Sequence, residues 1–420
     1  MPPTLAETHP FDPAVLESPW DYYRQLRAEA PVFRDPHTGI FHVASYDLVL
    51  EVVKNHAVFS NRFAPAMGGQ ALSDAANSLG DEELASLAER AYPGVDTMLT
   101  ADPPEHKRFR GLVNKAFTPR RVNALEPGIE KLAHELVDAF APKGECEILS
   151  EFAVLLPLTV IADQLGVPRT DLAQFKRWTD GFTAQLSGMA DAEGHVEAIK
   201  RILEFQQYFA ARLEEVREAP RDDIISDLVR ARLDDERPLD VAECLSILQQ
   251  LLVAGNETTA ASIAEGLLLL VENPEQLAKV KADPGLVPNL VEEVLRLTTP
   301  TANMWRKTKE DTELAGVAIP KDSMVLVRYA SANRDESVFP DADRFDVERA
   351  NASEHLAFGH GIHFCIGAML ARKEMNVAFR VLLERLSGLR LAPGHEPPRH
   401  KPSVLLRGLD ALHVAFEVKP

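Results

Sequence analysis

The stretch that most constrains this chain runs from Asp240 to Glu272. Asp240-Val241-Ala242-Glu243 has the form of a capping box, in which an N-cap oxygen and an acid three residues on satisfy each other's backbone N–H groups. Asn273-Pro274 ends the run, because proline cannot continue a helix. About thirty residues at ~1.5 Å each span roughly 45 Å, the width of a domain. The run is apolar on most faces, so it predicts a central buried helix. Ala254-Gly255-Asn256-Glu257-Thr258-Thr259 stands in its middle. A glycine and two threonines weaken helix propensity there, and Glu257 is a carboxylate that is costly to bury. Such local conflict points to function. It predicts a functional kink. The plain alternative is a tolerated glycine with threonine bonded back to the preceding turn.

A second stretch carries chemistry: Phe358-Gly359-His360-Gly361-Ile362-His363-Phe364-Cys365-Ile366-Gly367, followed by a helical pattern from Ala368 to about Leu386. Glycines let the backbone turn tightly and let a flat ligand approach it. A cysteine just ahead of a helix N-terminus faces unsatisfied N–H donors, which favours thiolate. Three readings stand side by side. One is a buried cysteine in a tight turn. Another is a zinc site from His355, His360, His363 and Cys365. The third is an axial thiolate to heme iron.

The 420 residues carry 45% apolar side chains, enough for a sizeable core, and no linker or repeat divides them. A formal net charge of −19 argues against nucleic acid as partner. Three scattered cysteines suggest a reducing compartment. The polar, proline-rich N-terminus lacks the apolar and basic regions of a signal peptide, and no run of 18 apolar residues occurs. The expectation is a cytoplasmic protein with no membrane span.

In chain order, a helix is expected from Trp20 to about Ala30, a small hairpin from Val32–Arg34 and Ile40–Val43, and a helix over Tyr46–Lys54. Residues 60–100 read as a long loop around a short acidic helix at Asp81–Arg90. From His106 to Arg121 there are six Lys/Arg and no acid. His106 and Arg110, four residues apart, point the same way and can clamp carboxylates; a solvated basic helix face is the alternative. Residues 123–217 are helical almost throughout, with breaks at Gly166-Val167-Pro168 and near Gly188. The apolar set around Ala173–Met189 reads as ordinary core on its residues. Glu293-Val294-Leu295-Arg296 permits an ion pair within one helix. Val317–Pro320 and Ser323–Tyr329 alternate like strands, and Val404–Val414 reads as a final hairpin.

Phe-Gly-x-Gly-x-His-x-Cys-x-Gly resembles the heme-binding loop of the cytochromes P450. Ala254–Thr259 resembles that family's oxygen-activation groove, and the likeness runs from about Trp20 to Val418, best in the soluble bacterial type. It implies a single domain, 1–420, mainly α with small β sheets, holding heme b between the long helix and the cysteine loop. Cys365 would ligate the iron, with Ala254, Phe358, Gly359 and Gly367 beside the cofactor. His106, Arg110, Arg306 and His363 would neutralise the propionates. Glu257 and Thr258 would deliver protons. Glu293, Arg296 and Arg344 would form the family's structural triad. The implied reaction is insertion of one oxygen atom from O2 into an apolar organic substrate. Electrons would come from NAD(P)H through a reductase and a ferredoxin or flavodoxin docking near Lys107, Arg108 and Lys115. The expected pocket is Met98, Leu99, Phe182, Leu186, Leu251, Ala254, Ala302, Met304, Leu406 and Leu409, with Asn303 as polar anchor. The region around Ala173–Met189 would form a lid over the substrate pocket. A monomer is expected. Two other classes compete. One is a heme protein that uses peroxide, a type that often lacks the Glu257–Thr258 pair, or that couples substrates oxidatively; the other is a pure binder or gas sensor, and a sensor usually carries a second domain for which no segment is spare.

Overall fold

The structure is a computed structural model that describes residues 3–62, 86, 89–187, 191–232 and 237–418. The expected acidic helix at Asp81–Arg90 and the break near Gly188 lie largely outside them. The chain forms two compact units, Met1–Ser60 with Pro119–Pro157 and Glu257–Pro420, and Asn61–Thr118 with Leu158–Asn256.

In the first unit a five-stranded sheet runs in the order Val32–Arg34, Phe41–Val43, Met324–Val327, Met304–Thr308, Phe59–Ser60. Phe41–Val43 pairs parallel with Met324–Val327, and the other neighbours are antiparallel. The helix Tyr46–Lys54 packs Val49, Val52 and Val53 against Val43, Val325 and Val327. Those three valines recur at i, i+3 and i+4, one face of a helix, and each contributes about 1.5–3 kcal/mol on burial. The sheet thereby fixes Arg306, which sits opposite Val325. Met324–Val327 forms within the strand expected over Ser323–Tyr329 and joins that sheet. Val317–Ile319 instead pairs with Thr312–Leu314 as a separate ribbon.

Three helices of this unit meet at a glycine. A β-carbon on Gly266 of the long helix would lie 2.5 Å from Phe379 and 3.0 Å from Val294. Only glycine lets the long helix approach the helices Val287–Thr298 and Ala368–Arg385 so closely. The helix Ala368–Arg385 also runs beside Pro119–Phe140. Lys373–Glu126, Arg380–Glu130 and Arg385–Asp138 pair there at 2.6, 2.7 and 2.6 Å.

The expected hairpin over Val404–Val414 does not form. The last strand, His413–Val418, pairs with Leu386–Leu391 and Glu145–Glu147. Residues 401–412 form an irregular turn held by isolated bridges Thr301↔Leu406 and His400↔Leu409. The physical reason is competition for carbonyls: the Asn303 amide takes Val404 O at 2.7 Å, and the Asn303 N–H takes Leu405 O at 3.2 Å.

In the second unit, helices Leu172–Ser187 and Ala192–Glu218 pack through Phe175, Trp178, Phe182, Phe205, Tyr208 and Phe209. Their rings meet mostly edge-to-face or tilted, the arrangement the ring quadrupole favours. The long helix spans Val241–Glu272 without interruption. Its capping box is made as read. The Glu243 N–H donates to Asp240 Oδ1 and the Asp240 N–H to Glu243 Oε2, both at 2.9 Å.

Candidate active site

The cysteine loop is built by backbone bonds that close on themselves. The Cys365 N–H donates to Phe358 O at 2.9 Å, and the Gly359 N–H donates to Leu356 O at 2.9 Å. Gly359 has φ +66°, a conformation L side chains rarely adopt, and a β-carbon there would lie 3.5 Å from the Tyr329 hydroxyl. A short 3₁₀ turn, Gly361–His363, then delivers Cys365 three residues ahead of the helix that starts at Ala368. Cys365 is half-buried. Cys146 and Cys244 are buried, and burial pushes their thiols up to about 12, so they stay protonated and inert.

Beneath the loop lies a charged brace. Arg372 stacks over Phe358 at 4.5 Å and grips Glu292 with two bonds of 2.6 and 2.8 Å. His355 Nε2 lies 3.2 Å from the same carboxylate. Burial pushes Glu292 up, but Arg372 and His355 outweigh it and hold the group down to about 2. The zinc arrangement does not assemble. His355 faces Glu292, His360 Nδ1 accepts from the Gly361 N–H at 2.7 Å, and no metal-sized group of three His, Cys, Asp or Glu exists among the described residues.

Arg306 is buried and donates to Trp305 O at 2.7 Å and to the Tyr329 hydroxyl at 3.4 Å. Tyr329 thus joins the Arg306 strand to the Gly359 turn. Sequence reading missed it, because a tyrosine at a strand end carries no signal of what it will touch.

The long helix stays helical through Gly255, Thr258 and Thr259, so the expected kink is not a break. Exposure is what changes. Ala254 is exposed and Gly255, Glu257 and Thr258 are half-buried, between the buried pairs Leu251–Leu252 and Ala260–Ala261. The Ser262 hydroxyl donates to Thr258 O at 3.0 Å. Asn256 is fully buried, and neither polar atom of its amide finds a partner among the described residues.

In the second unit His106 is buried and Arg110 half-buried on the helix Glu105–Val113. Arg108, expected in a docking face, is instead tied to Glu243 at 2.9 Å, where Arg237 also binds at 2.8 Å. Its charge is spent inside the fold. Lys115 donates to Arg232 O at 3.3 Å, and Lys107 is exposed.

Other expectations change. The third member of the Glu293–Arg296 group is Arg349, whose Nε lies 3.0 Å from Glu293. Arg344 is 62% exposed and pairs with Asp346 at 2.9 Å, because its position after Asp343 points it to solvent; only its carbonyl joins the group. Asn303 is buried and bonded within the fold: its amide donates to Val404 O at 2.7 Å, and the Tyr23 hydroxyl donates to its Oδ1 at 3.2 Å. Ala302 packs with Tyr22, Tyr23 and Leu26, and Phe182 packs against Phe205 at 5.2 Å. Met98, Leu251 and Leu409 are buried, Met304 and Leu406 half-buried and Leu99 39% exposed. The side chain of Leu186 lies outside the described residues.

A sequence profile of the family Cytochrome P450 matches residues 183–284 and 285–411. The 6-deoxyerythronolide B hydroxylase of Saccharopolyspora erythraea is 37% identical over 407 residues, 91% of this chain and 98% of its own. The chain belongs to the cytochrome P450 family. A steroid C26-monooxygenase of Mycobacterium tuberculosis is 34% identical over 401 residues, covering 95% of this chain and 94% of that one. The solved structure of cytochrome P450 CYP109Q5 from Chondromyces apiculatus superposes with a TM-score of 0.86 at 38% identity, covering 99% of this chain and 100% of that one. The fold is the mainly helical P450 fold with small sheets. The enzyme is a P450 monooxygenase, a hydroxylase of organic substrates.

P450 membership implies heme. The residues fit it. A half-buried cysteine stands in a closed loop whose Gly359 carries no side chain. No helix among the described residues is long and apolar enough to cross a membrane.

Proposed function

We propose that this P450 binds heme b through the Cys365 thiolate and hydroxylates or epoxidises a mid-sized apolar molecule with dioxygen. The observation that carries the reading is Cys365 itself, half-buried in a self-closed glycine loop ahead of a helix N-terminus. Ala254, Phe358, Gly359 and Gly367 flank the cofactor. His106, Arg110, Arg306 and His363 bind its propionates, since carboxylates buried without partners cost several kcal/mol, on the order of magnitude of other buried ions. When bound, the heme supplies the redox chemistry that divides dioxygen between substrate and water. The chain's own part is to hold and move protons. Thr258 and Glu257, half-buried on the long helix, take the proton-transfer roles.

Met98, Leu99, Leu251, Met304, Leu406 and Leu409 supply the apolar contacts; Phe182, Ala302 and Asn303 are assigned to the core. Relatives named for 6-deoxyerythronolide B and for a steroid support the apolar class. Electrons arrive from NAD(P)H through a reductase and a ferredoxin or flavodoxin. Residues 1–420 act as one domain, as a monomer, in the cytoplasm.

The test is a carbon monoxide difference spectrum of the reduced protein. A strongly red-shifted Soret band that Cys365→Ser abolishes is the expected result. A band typical of His-ligated heme in the parent protein overturns the assignment.

A further inference from the structure

Trp20 lies between two guanidinium groups, Arg334 at 3.6 Å and Arg407 at 4.7 Å from its ring centre. Arg407 is buried and donates three ways. Its Nη1 reaches Glu17 O at 2.9 Å and Leu16 O at 3.4 Å, and its Nη2 reaches His400 Nδ1 at 3.1 Å. An arginine can only donate, so His400 Nδ1 accepts and the ring proton sits on Nε2. That nitrogen lies 3.3 Å from Glu265 Oε2, within ion-pair reach but not aligned as a hydrogen bond. Glu265 is 8% exposed and stands on the long helix seven residues after Thr258, two turns or about 10 Å along the same face.

The chain Glu265–His400–Arg407 ends one residue from Gly408. A β-carbon on Gly408 would lie 3.1 Å from the Ala261 methyl, one turn beyond Thr258. Leu406 and Leu409 flank this turn. The Arg407 N–H bonds Pro300 O and the Asp410 N–H bonds Arg399 O, both at 2.8 Å, but no strand ladder pins the segment. Behind it lies a cavity of about 180 Å³ lined by Glu265, Thr298, Arg334, His400 and Arg407 among others. Of the residues that line it, Glu265, Thr298, Arg334 and Arg407 each hold a buried polar atom (Oε1, Oγ1, Nε and Nε) with no partner among the described residues. Mixed donors and acceptors suit water better than an ion of either sign. A turn backed by hydratable space shifts without meeting packed side chains, unlike one set in a close-packed core. Its position then depends on the polar chain that holds it.

We propose that Glu265, His400 and Arg407 act as positioning residues that set the Gly408 turn against the long helix, and thereby determine which apolar substrates fit beside Leu406 and Leu409. This rests on the apolar-substrate reading above. None of the three touches substrate or cofactor.

The experiment uses the heme-loaded enzyme and two readouts. One is amide hydrogen exchange over residues 401–412. The other is dissociation constants, from the substrate-induced spectral shift, for a ladder of apolar ligands from fatty acids to steroids. Glu265→Ala and His400→Ala are each expected to speed exchange at Arg407 and Asp410 about tenfold and to reorder the ligand ladder. The double variant is expected to be no worse than either single, as members of one chain are coupled. Glu265→Gln keeps an acceptor toward His400 and is expected to stay within twofold of the parent in both readouts. Additive effects, faster exchange spread over the whole protein, or faster exchange with an unchanged ligand order overturns the proposal. If no apolar ligand shifts the parent spectrum, the apolar reading fails, while exchange still tests whether Glu265 holds the turn.

Discussion

Arg349 Nε donates to Glu293 Oε1 at 3.0 Å, while Arg296 grips the same carboxylate from within its own helix at 2.7 and 2.8 Å. All three side chains are buried. Arg296 continues to the carbonyls of Asn333 and Ala342, and Arg349 to those of Pro340 and Asp341, so two guanidinium groups tie the segment before the cysteine loop to the helix Val287–Thr298. Removing Arg349 leaves Glu293 neutralised by Arg296 but strips the carbonyls of Pro340 and Asp341 of a buried donor, at a cost of about 1–3 kcal/mol. Arg349→Ala is therefore expected to lower stability by that order and to reduce heme retention. Arg344→Ala, on an exposed side chain, is expected within about 0.5 kcal/mol of the parent. Urea unfolding of both variants checks the assignment, and equal losses would sink it.

Glu292 gives a pH signature. Its carboxyl is held at about 2, below its ordinary 4.5, once Arg372 and His355 outweigh burial. A lowered carboxylate contributes stability that is full above about pH 4.5 and is lost as pH falls toward 2. Arg372→Gln is expected to reduce stability at pH 7 and to flatten the acid limb between those values. Urea midpoints from pH 7 to 3 test this; an acid limb as steep as the parent's contradicts it.

Gly266 is a steric prediction. Phe379 and Val294 occupy the space a methyl group would take. Overpacking of this kind costs about 1–3 kcal/mol. Gly266→Ala is expected to lower the melting temperature by several degrees, whereas Gly255→Ala, with nothing within 4 Å of its β-carbon, is expected to leave stability unchanged or raise it. Calorimetry of the pair decides.

Asn303 is expected to behave as a structural residue. Asn303→Ala leaves the carbonyl of Val404 and the hydroxyl of Tyr23 without their partner, a loss of about 1–3 kcal/mol. Substrate affinity should change through the turn rather than through one polar group. A variant of parental stability that loses affinity only for substrates with a hydrogen-bonding group would restore Asn303 as an anchor.

Thr258→Ala is expected to keep the heme and the red-shifted carbon monoxide band while diverting electrons from product into hydrogen peroxide. Product and peroxide formed per NAD(P)H, measured together, test the proton role assigned to Thr258. Unchanged coupling would refute it.

Patterns local in sequence carried the elements that position the chemistry. Capping signals and apolar period alone bounded the helix at Val241 and Glu272, and the cysteine loop announced itself through six positions in ten residues. Both depend on interactions within a few residues, which periodicity and turn chemistry encode directly. Choices between equivalent groups needed the tertiary structure. Arg344 and Arg349 lie five residues apart and look alike; burial beside Glu293 selects Arg349. Asn303 and Phe182 have the chemistry of pocket residues, yet the hydroxyl of Tyr23 and the ring of Phe205 claim them. Glu265 and His400 lie 135 residues apart, Gly266 lies 113 from Phe379 and 28 from Val294, and Tyr329 lies 30 from Gly359 and 23 from Arg306. No local propensity specifies such contacts, because they exist only once close packing has decided which faces meet.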